Sequence, residues 1–408
     1  MVTALKNSRS RIHEQNIMRM VWGQGPSSRA EMVRSLNLSL PTVSKAVAWL
    51  LRARLLEEVE MADGAIGRPA KRLRMATESA QLLGVVIAPG NCSVGSAGLD
   101  GMIRPDRTVK VPTPKTYEGL IDALEGPSRA LMEQPGVATL GIGICIPGLV
   151  DLRNDRSVLS ANVRAIEGHS PTHDLAERLG VECVTLQSKH ALCLAESYFG
   201  EARGLKDIVL LDLSTGMAIG VVSEGRLLRG KNGFAGEIGH IPIESEGLPC
   251  GCGHRGCLET VASDLAMAAK VSKKVGRTLE IDEVVKLVRS GQLSIEAEIE
   301  ELIHYLSIAL TSVINLFNPS TLFLNGRLFD LQEDLFPRLI EEARRKTLGP
   351  SFEECRIVRA VGDKMQGAVA AALQHLIESL ASPEGRIAPT EGRGSTPGAN
   401  KPTQESGH

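Results

Sequence analysis

The sequence predicts an α/β body behind a short, mostly helical N-terminal module. Three observations predict it. From about residue 80 to 380, short runs rich in Val, Ile and Leu alternate with longer helical segments, the pattern of an α/β fold. Before residue 78, apolar residues recur at helical spacing, and basic residues outnumber acidic ones roughly two to one. Between His240 and Cys257 lies a cluster of thiol and imidazole side chains, spaced by glycines, that suits a metal ion.

Composition sets the limits. With 408 residues, 43 % of them hydrophobic, the chain can bury a sizeable core and form more than one domain. Aromatic residues make up only 3 %, so that core must be built from Leu, Ile, Val and Ala. The net charge of −2 gives the whole molecule no attraction for nucleic acid, but the average hides a basic N-terminal module and an acidic remainder. No apolar run approaches the roughly 20 residues of a membrane span, and the first eleven residues lack the apolar stretch of a signal peptide. Of eight cysteines, Cys92, Cys145, Cys183 and Cys193 are dispersed in apolar surroundings and read as small core residues. The expected location is the cytoplasm, with no membrane partner.

The N-terminal module (1–78) starts with a helix carrying Ile12, Ile17, Met18, Met20 and Val21, stopped by Gly23, Gly25 and Pro26. Ser27 or Ser28 caps a second helix over 29–35, and Asn37 suits a turn that needs a left-handed residue. Ser39 caps a third helix, with Pro41 in its first turn and Val43, Ala46, Val47 and Leu50 along one apolar face. Thr42, Ser44 and Lys45 lie off that face. Helix, tight turn and a helix with a polar start make a helix-turn-helix unit, in which these three residues are candidates for the major groove. Runs at 55–61 and 72–75 read as the strands of a winged hairpin. Its loop, Gly67-Arg68-Pro69-Ala70-Lys71-Arg72, offers Arg68 to a minor groove. Arg52 and Arg54 are candidates for phosphates.

In the body, strands are expected at 82–87, 139–146, 181–186, 208–213, 321–324 and 357–361, and helices near 118–133, 172–179, 190–199, 259–274, 298–317 and 331–345. From about residue 382 the chain is rich in Pro, Gly, Ser and Thr without apolar periodicity, the composition of a disordered tail.

His240 followed by Cys250-Gly-Cys252-Gly-His-Arg-Gly-Cys257 supplies three thiolates and one imidazole, a tetrahedral Zn²⁺ set with no open position, hence structural. A disulfide is disfavoured in a reducing compartment, and the short glycine-laced spacing argues against scattered core cysteines.

Gly141-Ile-Gly-Ile-Cys-Ile-Pro147-Gly148-Leu-Val-Asp151 and Arg229-Gly230-Lys-Asn232-Gly233-Phe-Ala235-Gly236-Glu237-Ile-Gly239-His240, running into the Cys-rich loop and Glu259, resemble the signature stretches of the ROK family of repressors, open reading frames and sugar kinases. Asn318-Pro319, Asn325-Gly326, Gly362-Asp363 and Gly367-Ala368 continue the resemblance, and the N-terminal module is similar to that of the repressor branch. The resemblance implies a two-lobed actin-like (ribonuclease H-like) α/β fold with a sugar cleft between the lobes. One lobe spans 80–186 plus 363–380, the other 187–362 with the metal loop. It also implies ligand contacts from Glu237, His240, Glu259 and Asn162, and from Gln187 and Ser188 where the family pattern has Asn and Asp.

The kinase chemistry of that family is not matched here. The first phosphate loop of a family kinase is Asp-x-Gly-Gly-Thr, whereas this chain reads Val86-Ile87-Ala88-Pro89-Gly90, and Pro89 removes an N–H donor. The second phosphate loop reads Ser214-Thr215-Gly216-Met217-Ala218-Ile219-Gly220, with side chains where bare backbone should approach phosphate. The Asn-Asp-Ala-Asn run that carries the general base reads Gln187-Ser188-Lys189-His190, and a serine hydroxyl is not basic near neutral pH. His190, at a helix start, is expected as a cap or surface residue and not a base. No catalytic residue is expected. The reading is a transcriptional repressor of carbohydrate-related genes, bound to double-stranded operator DNA as a homodimer or dimer of dimers, nucleoid-associated, and responsive to a sugar or sugar phosphate. The alternatives are an active kinase with an appended DNA-binding domain, and a dimeric scaffold that binds DNA without a ligand.

Overall fold

The computed structural model describes residues 8–60 and 71–380. Arg68 with the hairpin tip, and the tail from 382, lie outside the described residues. Three helices open the chain: α1 (Ser8–Gln24), α2 (Arg29–Leu36) and α3 (Leu40–Arg52). Their ends follow from local chemistry. The Glu31 N–H donates to the Ser28 hydroxyl at 3.2 Å, and the Ser28 N–H donates back to the Glu31 carboxylate at 2.7 Å, a reciprocal capping box. Asn37 ends α2 in the left-handed region (φ 51°), and Ser39 caps α3 with Pro41 in the first turn. Val43, Ala46, Val47 and Leu50 are all buried, so the apolar stripe of the sequence is the packed face. The strands β1 (Leu56–Glu60) and β2 (Lys71–Met75) pair antiparallel, Leu56 opposite Met75.

The first lobe follows: β3 (Ala80–Val86), β4 (Asn91–Ala97), β5 (Ile103–Pro112), α4 (Tyr117–Met132), β6 (Ala138–Ile146), a small hairpin of β7 (Leu149–Asp151) and β8 (Arg156–Leu159), α5 (Pro171–Leu179), β9 (Cys183–Gln187) and α6 (Ser188–Phe199). The second lobe holds β10 (Ile208–Asp212), β11 (Ala218–Ser223), β12 (Arg226–Leu227), α7 (Glu259–Ala262), α8 (Asp264–Val275), α9 (Ile281–Arg289), α10 (Glu296–Phe317), β13 (Thr321–Asn325), α11 (Leu335–Lys346), α12 (Gly349–Glu353) and β14 (Arg356–Arg359). The last described helix, α13 (Lys364–Ser379), returns to the first lobe. The two sheets repeat one plan, β5-β4-β3-β6-β9 and β12-β11-β10-β13-β14: an antiparallel meander whose first strand pairs with a parallel strand, which in turn pairs with a second one. This is the two-lobed α/β architecture expected from the sequence.

Differences from the sequence reading have local causes. β4 is built from small residues (Asn-Cys-Ser-Val-Gly-Ser-Ala), and the edge strand β5 is half polar, so neither carries a strong apolar signal. The helix expected over 259–274 breaks at Ser263, whose extended backbone (φ −121°, ψ 164°) caps α8. α10 is long and apolar enough by composition to cross a membrane, yet Ile299, Leu306, Leu310 and Val313 lie fully buried in the second lobe's core.

Two packing features position the site. A Cβ on Gly367 would lie 1.9 Å from the Ala191 carbonyl, so α13 crosses α6 at backbone contact that only glycine permits. One apolar cluster joins Ile17, Met18 and Leu50 of the N-terminal module to Leu82, Leu373, Leu376 and Ile377 of the body. At that junction Trp22 of α1 stacks on Tyr198 of α6 at 4.0 Å between ring centroids, and Arg203 donates to the Gly23 carbonyl at 3.0 Å.

Candidate functional site

Between the lobes lies a cavity of about 100 Å³ whose walls include all six expected ligand residues: Asn162, Gln187, Ser188, Glu237, His240 and Glu259. They come from four separate stretches of chain. Asn162 follows β8 and is tied across the cavity by its amide N–H to the Thr215 carbonyl, 3.1 Å. Gln187 ends β9 and Ser188 begins α6, both placed by the strand-to-helix turn. Glu237 and His240 sit on a short 3₁₀ turn, and Glu259 opens α7. Gln187 is 1 % exposed, and neither of its amide atoms has a hydrogen-bond partner; the buried Ser160 hydroxyl on the same wall has none either.

The cavity also holds residues the sequence reading passed over. Lys189, 3 % exposed, places its ammonium on the Glu237 carboxylate. Lys364, at the start of α13, donates to the Ser214 hydroxyl at 2.9 Å and pairs with Asp212 at 3.2 Å. Burial pulls the Lys364 pKa down, but Asp212 outweighs it and holds it above the ordinary lysine value. Asn325 donates to the other Asp212 oxygen at 2.8 Å. The Ser188 hydroxyl faces the buried Cys145 thiol at 3.6 Å, and burial pushes that thiol up to about 11. Helix chemistry alone does not foretell these contacts, because Lys364 and Asp212 meet only through the sheet plan.

His190 corrects the sequence reading. It is no surface cap: it is 2 % exposed, and its Nε2 has no partner. Burial, then the nearby Lys189 and Arg229 charges, push its pKa down to about 3, so the imidazole is neutral. It turns away from the interlobe cavity to line a separate one, of about 320 Å³, with Thr172, Thr185 and Arg229.

His240, Cys250, Cys252 and Cys257 bring one ligand atom each to within 4.8 Å of one another, a group able to hold a metal ion. Cys252 and Cys257 sulfurs stand 3.7 Å apart, and the Cys250 sulfur is 3.5 Å from His240 Nδ1. A Zn–S bond of about 2.3 Å puts tetrahedral thiolates about 3.8 Å apart, so the donors already fit the edges of that polyhedron. A disulfide, at about 2.0 Å, is not formed. Gly256 makes the loop possible: its φ is +68°, and a Cβ there would lie 1.6 Å from the Glu244 carbonyl. Burial raises the Cys252 thiol, but hydrogen bonds from His254 and the neighbouring sulfurs prevail and bring it to about 6. His240 Nε2 stands 3.8 Å from Glu237, and Nδ1 3.6 Å from Glu259, so the imidazole links the metal group to the cavity wall.

On the N-terminal module, Thr42 shares a hydrogen bond with Ser39 at 2.8 Å at the open start of α3. Ser44 is half-exposed and Lys45 exposed one turn on. Four other cations of the module are neutralised internally: Arg29 and Lys71 on Glu58 (2.9 and 2.8 Å), Arg72 on Glu31 (3.2 Å) and Arg74 on Glu57 (3.4 Å). Lys45 and Arg52 are exposed with no ion pair among the described residues. Arg54 departs from its expected role: its guanidinium donates to the Gly136 carbonyl of the body at 3.1 Å, at the opposite end of α3 from Thr42.

Residues 89–375 match the ROK family. The chain belongs to that family. Within it, the chain is 27 % identical over 351 residues to the xylose repressor of Bacillus spizizenii (strain ATCC 23059 / NRRL B-14472 / W23), covering 84 % of this chain and 90 % of the relative. It is 26 % identical over 390 residues to the DNA-binding transcriptional dual regulator NagC of Escherichia coli (strain K12), covering 89 % and 95 %. A crystal structure of a ROK family transcriptional regulator, a homologue of the Escherichia coli Mlc protein, superposes with a TM-score of 0.76 at 23 % identity over 92 % of this chain and 98 % of that one, a likeness of fold. Sugar kinases of the ROK family match too, over less of the chain. The ROK match starts after the hairpin, whereas the two regulators match over most of their own length.

Proposed function

We propose that this chain is a DNA-binding transcriptional repressor of carbohydrate-related genes, whose two-lobed domain senses a sugar or sugar phosphate and performs no phosphoryl transfer. The observation that carries this reading is α6. It begins in the cavity with Ser188 and Lys189 and ends with Tyr198 stacked on Trp22 of the N-terminal module. Midway, the buried Glu196 accepts the N–H groups of Val361 and Gly362 at 2.5 and 2.7 Å, where the chain crosses from β14 to α13. One rigid element thus touches the ligand cavity, the crossing between lobes and the DNA-binding module. The similarity to the xylose repressor and to NagC supports the same reading.

The mechanism follows from differential binding. A ligand that satisfies Gln187, Ser160, Glu237 and Glu259 favours one lobe arrangement; α6 moves with its lobe and carries Trp22, shifting α3 against its operator. Thr42, Ser44 and Lys45 serve the major groove, Arg52 the backbone phosphates and Arg68 a minor groove. Two copies on a near-palindromic operator set the spacing of the two α3 helices. Zn²⁺ held by His240, Cys250, Cys252 and Cys257 would supply a structural anchor. Those four residues keep Glu237 and Glu259 on the cavity wall. Phosphoryl transfer is disfavoured because Ser188 is no base, Val86 and Pro89 do not make a phosphate cradle, and the Lys364 ammonium occupies Ser214 and Asp212.

The test is operator binding by purified protein on its own upstream DNA at fixed salt, with and without a panel of sugars and sugar phosphates. One compound is expected to weaken the complex by about tenfold or more, roughly 1.4 kcal/mol of coupling. A complex insensitive to every compound refutes ligand sensing and leaves a DNA-binding scaffold. Sugar-dependent ATP consumption would establish the kinase alternative.

A further inference from the structure

We propose that Leu40 reads a base of the operator: its side chain packs against the 5-methyl group of a thymine in the major groove. This rests on the DNA-binding function proposed above. Leu40 is the first residue of α3 and is 56 % exposed, the most exposed large apolar side chain among the described residues of the N-terminal module. The helix start is complete without it. Ser39 supplies the cap by accepting the Thr42 N–H at 3.3 Å, and Pro41 presets the backbone of the first turn. The helix buries Val43, Ala46, Val47 and Leu50 in the module's core and leaves Leu40 outside it. A leucine left in water forfeits the stabilisation of burial, and a partner surface restores it.

The surroundings of Leu40 make that partner DNA. Leu40, Ser44 and Ala48 stand at i, i+4 and i+8, so they form one ridge of α3, with Ser44 the next side chain along from Leu40. Pro41, Lys45 and Arg52 are exposed alongside that ridge, and neither cation has an ion pair among the described residues. The face therefore joins two uncompensated positive charges, complementary to backbone phosphates, to a single apolar tip. An apolar protein partner would call for more hydrophobic surface around Leu40 than Ser44, Lys45 and a proline provide. Recognition helices place their N-terminal residues against base edges, and Leu40 is at that end of α3, with Arg52 at the other. A leucine side chain neither donates nor accepts a hydrogen bond. Among the groups that base pairs display in the major groove, the thymine methyl is the apolar one.

The experiment is fluorescence anisotropy at fixed salt, with full-length wild type and Leu40→Ala on three duplexes. These are the protein's own upstream DNA, the same DNA with every thymine replaced by deoxyuridine, and a scrambled duplex of equal composition. Deoxyuridine keeps the pairing edge and removes only the methyl group. Wild type is expected to bind the deoxyuridine duplex at least about fourfold more weakly than the native one, the worth of one buried methyl. Leu40→Ala should bind the native duplex more weakly than wild type does and lose nothing further on deoxyuridine, the mark of a direct contact in a double-mutant cycle. Leu40 is exposed and alanine is the best helix former, so α3 should stay folded in the variant. Specific binding by wild type that is indifferent to deoxyuridine, or a deoxyuridine penalty that survives in Leu40→Ala, would overturn the inference and leave the DNA-binding function intact. If wild type binds the upstream DNA no better than the scrambled duplex, both readings fall.

Discussion

Lowering the pH from 7 to 5 should remove the stability that one buried imidazole contributes, a loss that the Asp264 carboxyl, raised to about 7 by burial, opposes in the whole protein. His190 has a folded pKa of about 3, against about 6.5 in an unfolded chain. Between those values the unfolded state binds the extra proton, so the His190 contribution to stability rises with pH and is lost as pH falls. At pH 7 the imbalance is worth only about 0.2 kcal/mol, while at pH 5 the unfolded imidazole is protonated and the folded one is not, which costs about 2 kcal/mol. The group is 2 % exposed, so solvent screening does not diminish the effect. The assay compares urea denaturation of wild type and His190→Asn at pH 7 and pH 5. Zinc affinity also falls with acid, but it falls in both proteins, so the difference in their pH dependence isolates His190. Asparagine keeps a polar group without a titrating one, and the comparison of slopes does not depend on its basal stability. Wild type should lose about 2 kcal/mol more than the variant across that interval. Parallel losses would refute the burial argument and place His190 in contact with water.

Tyr198→Ala removes a ring stack worth about 0.5–1.5 kcal/mol, so the ligand-induced change in operator affinity should shrink by about two- to tenfold while ligand affinity in the cavity is retained. Fluorescence anisotropy on operator DNA with and without effector reads both, and an unchanged response would exclude α6 as the route of coupling. Cys257→Ser should abolish stoichiometric zinc and lower stability by several kcal/mol, part of the roughly 10–16 kcal/mol that structural zinc supplies in zinc-finger peptides. Elemental analysis with thermal melts checks it, and full zinc content in the variant would rule out Cys257 as a ligand.

The sequence by itself determined whatever chemistry is settled within a few residues of chain. Ser28 with Glu31, Asn37, and Ser39 with Pro41 fix the three N-terminal helices, because caps and turn conformations are local. Val- and Ile-rich runs mark the buried strands, and the Cys-rich loop already holds three of its four donors within eight residues. The sequence motifs also pointed to Asn162, Gln187, Ser188, Glu237, His240 and Glu259 as candidates for ligand contact, and all six line one cavity. Only the tertiary structure decided how the cavity is charged. Lys189 meets Glu237, and Lys364 meets Asp212 and Ser214, across sequence separations that no periodicity encodes. It likewise buried His190 beneath its neighbours, turned Arg54 onto Gly136 and stacked Trp22 on Tyr198. The reason is physical: a cap is satisfied by adjacent backbone, and a Cys-rich loop gathers side chains close in sequence. A charge or a ring finds its partner only after the sheets and helices have paid the entropy of bringing distant segments together.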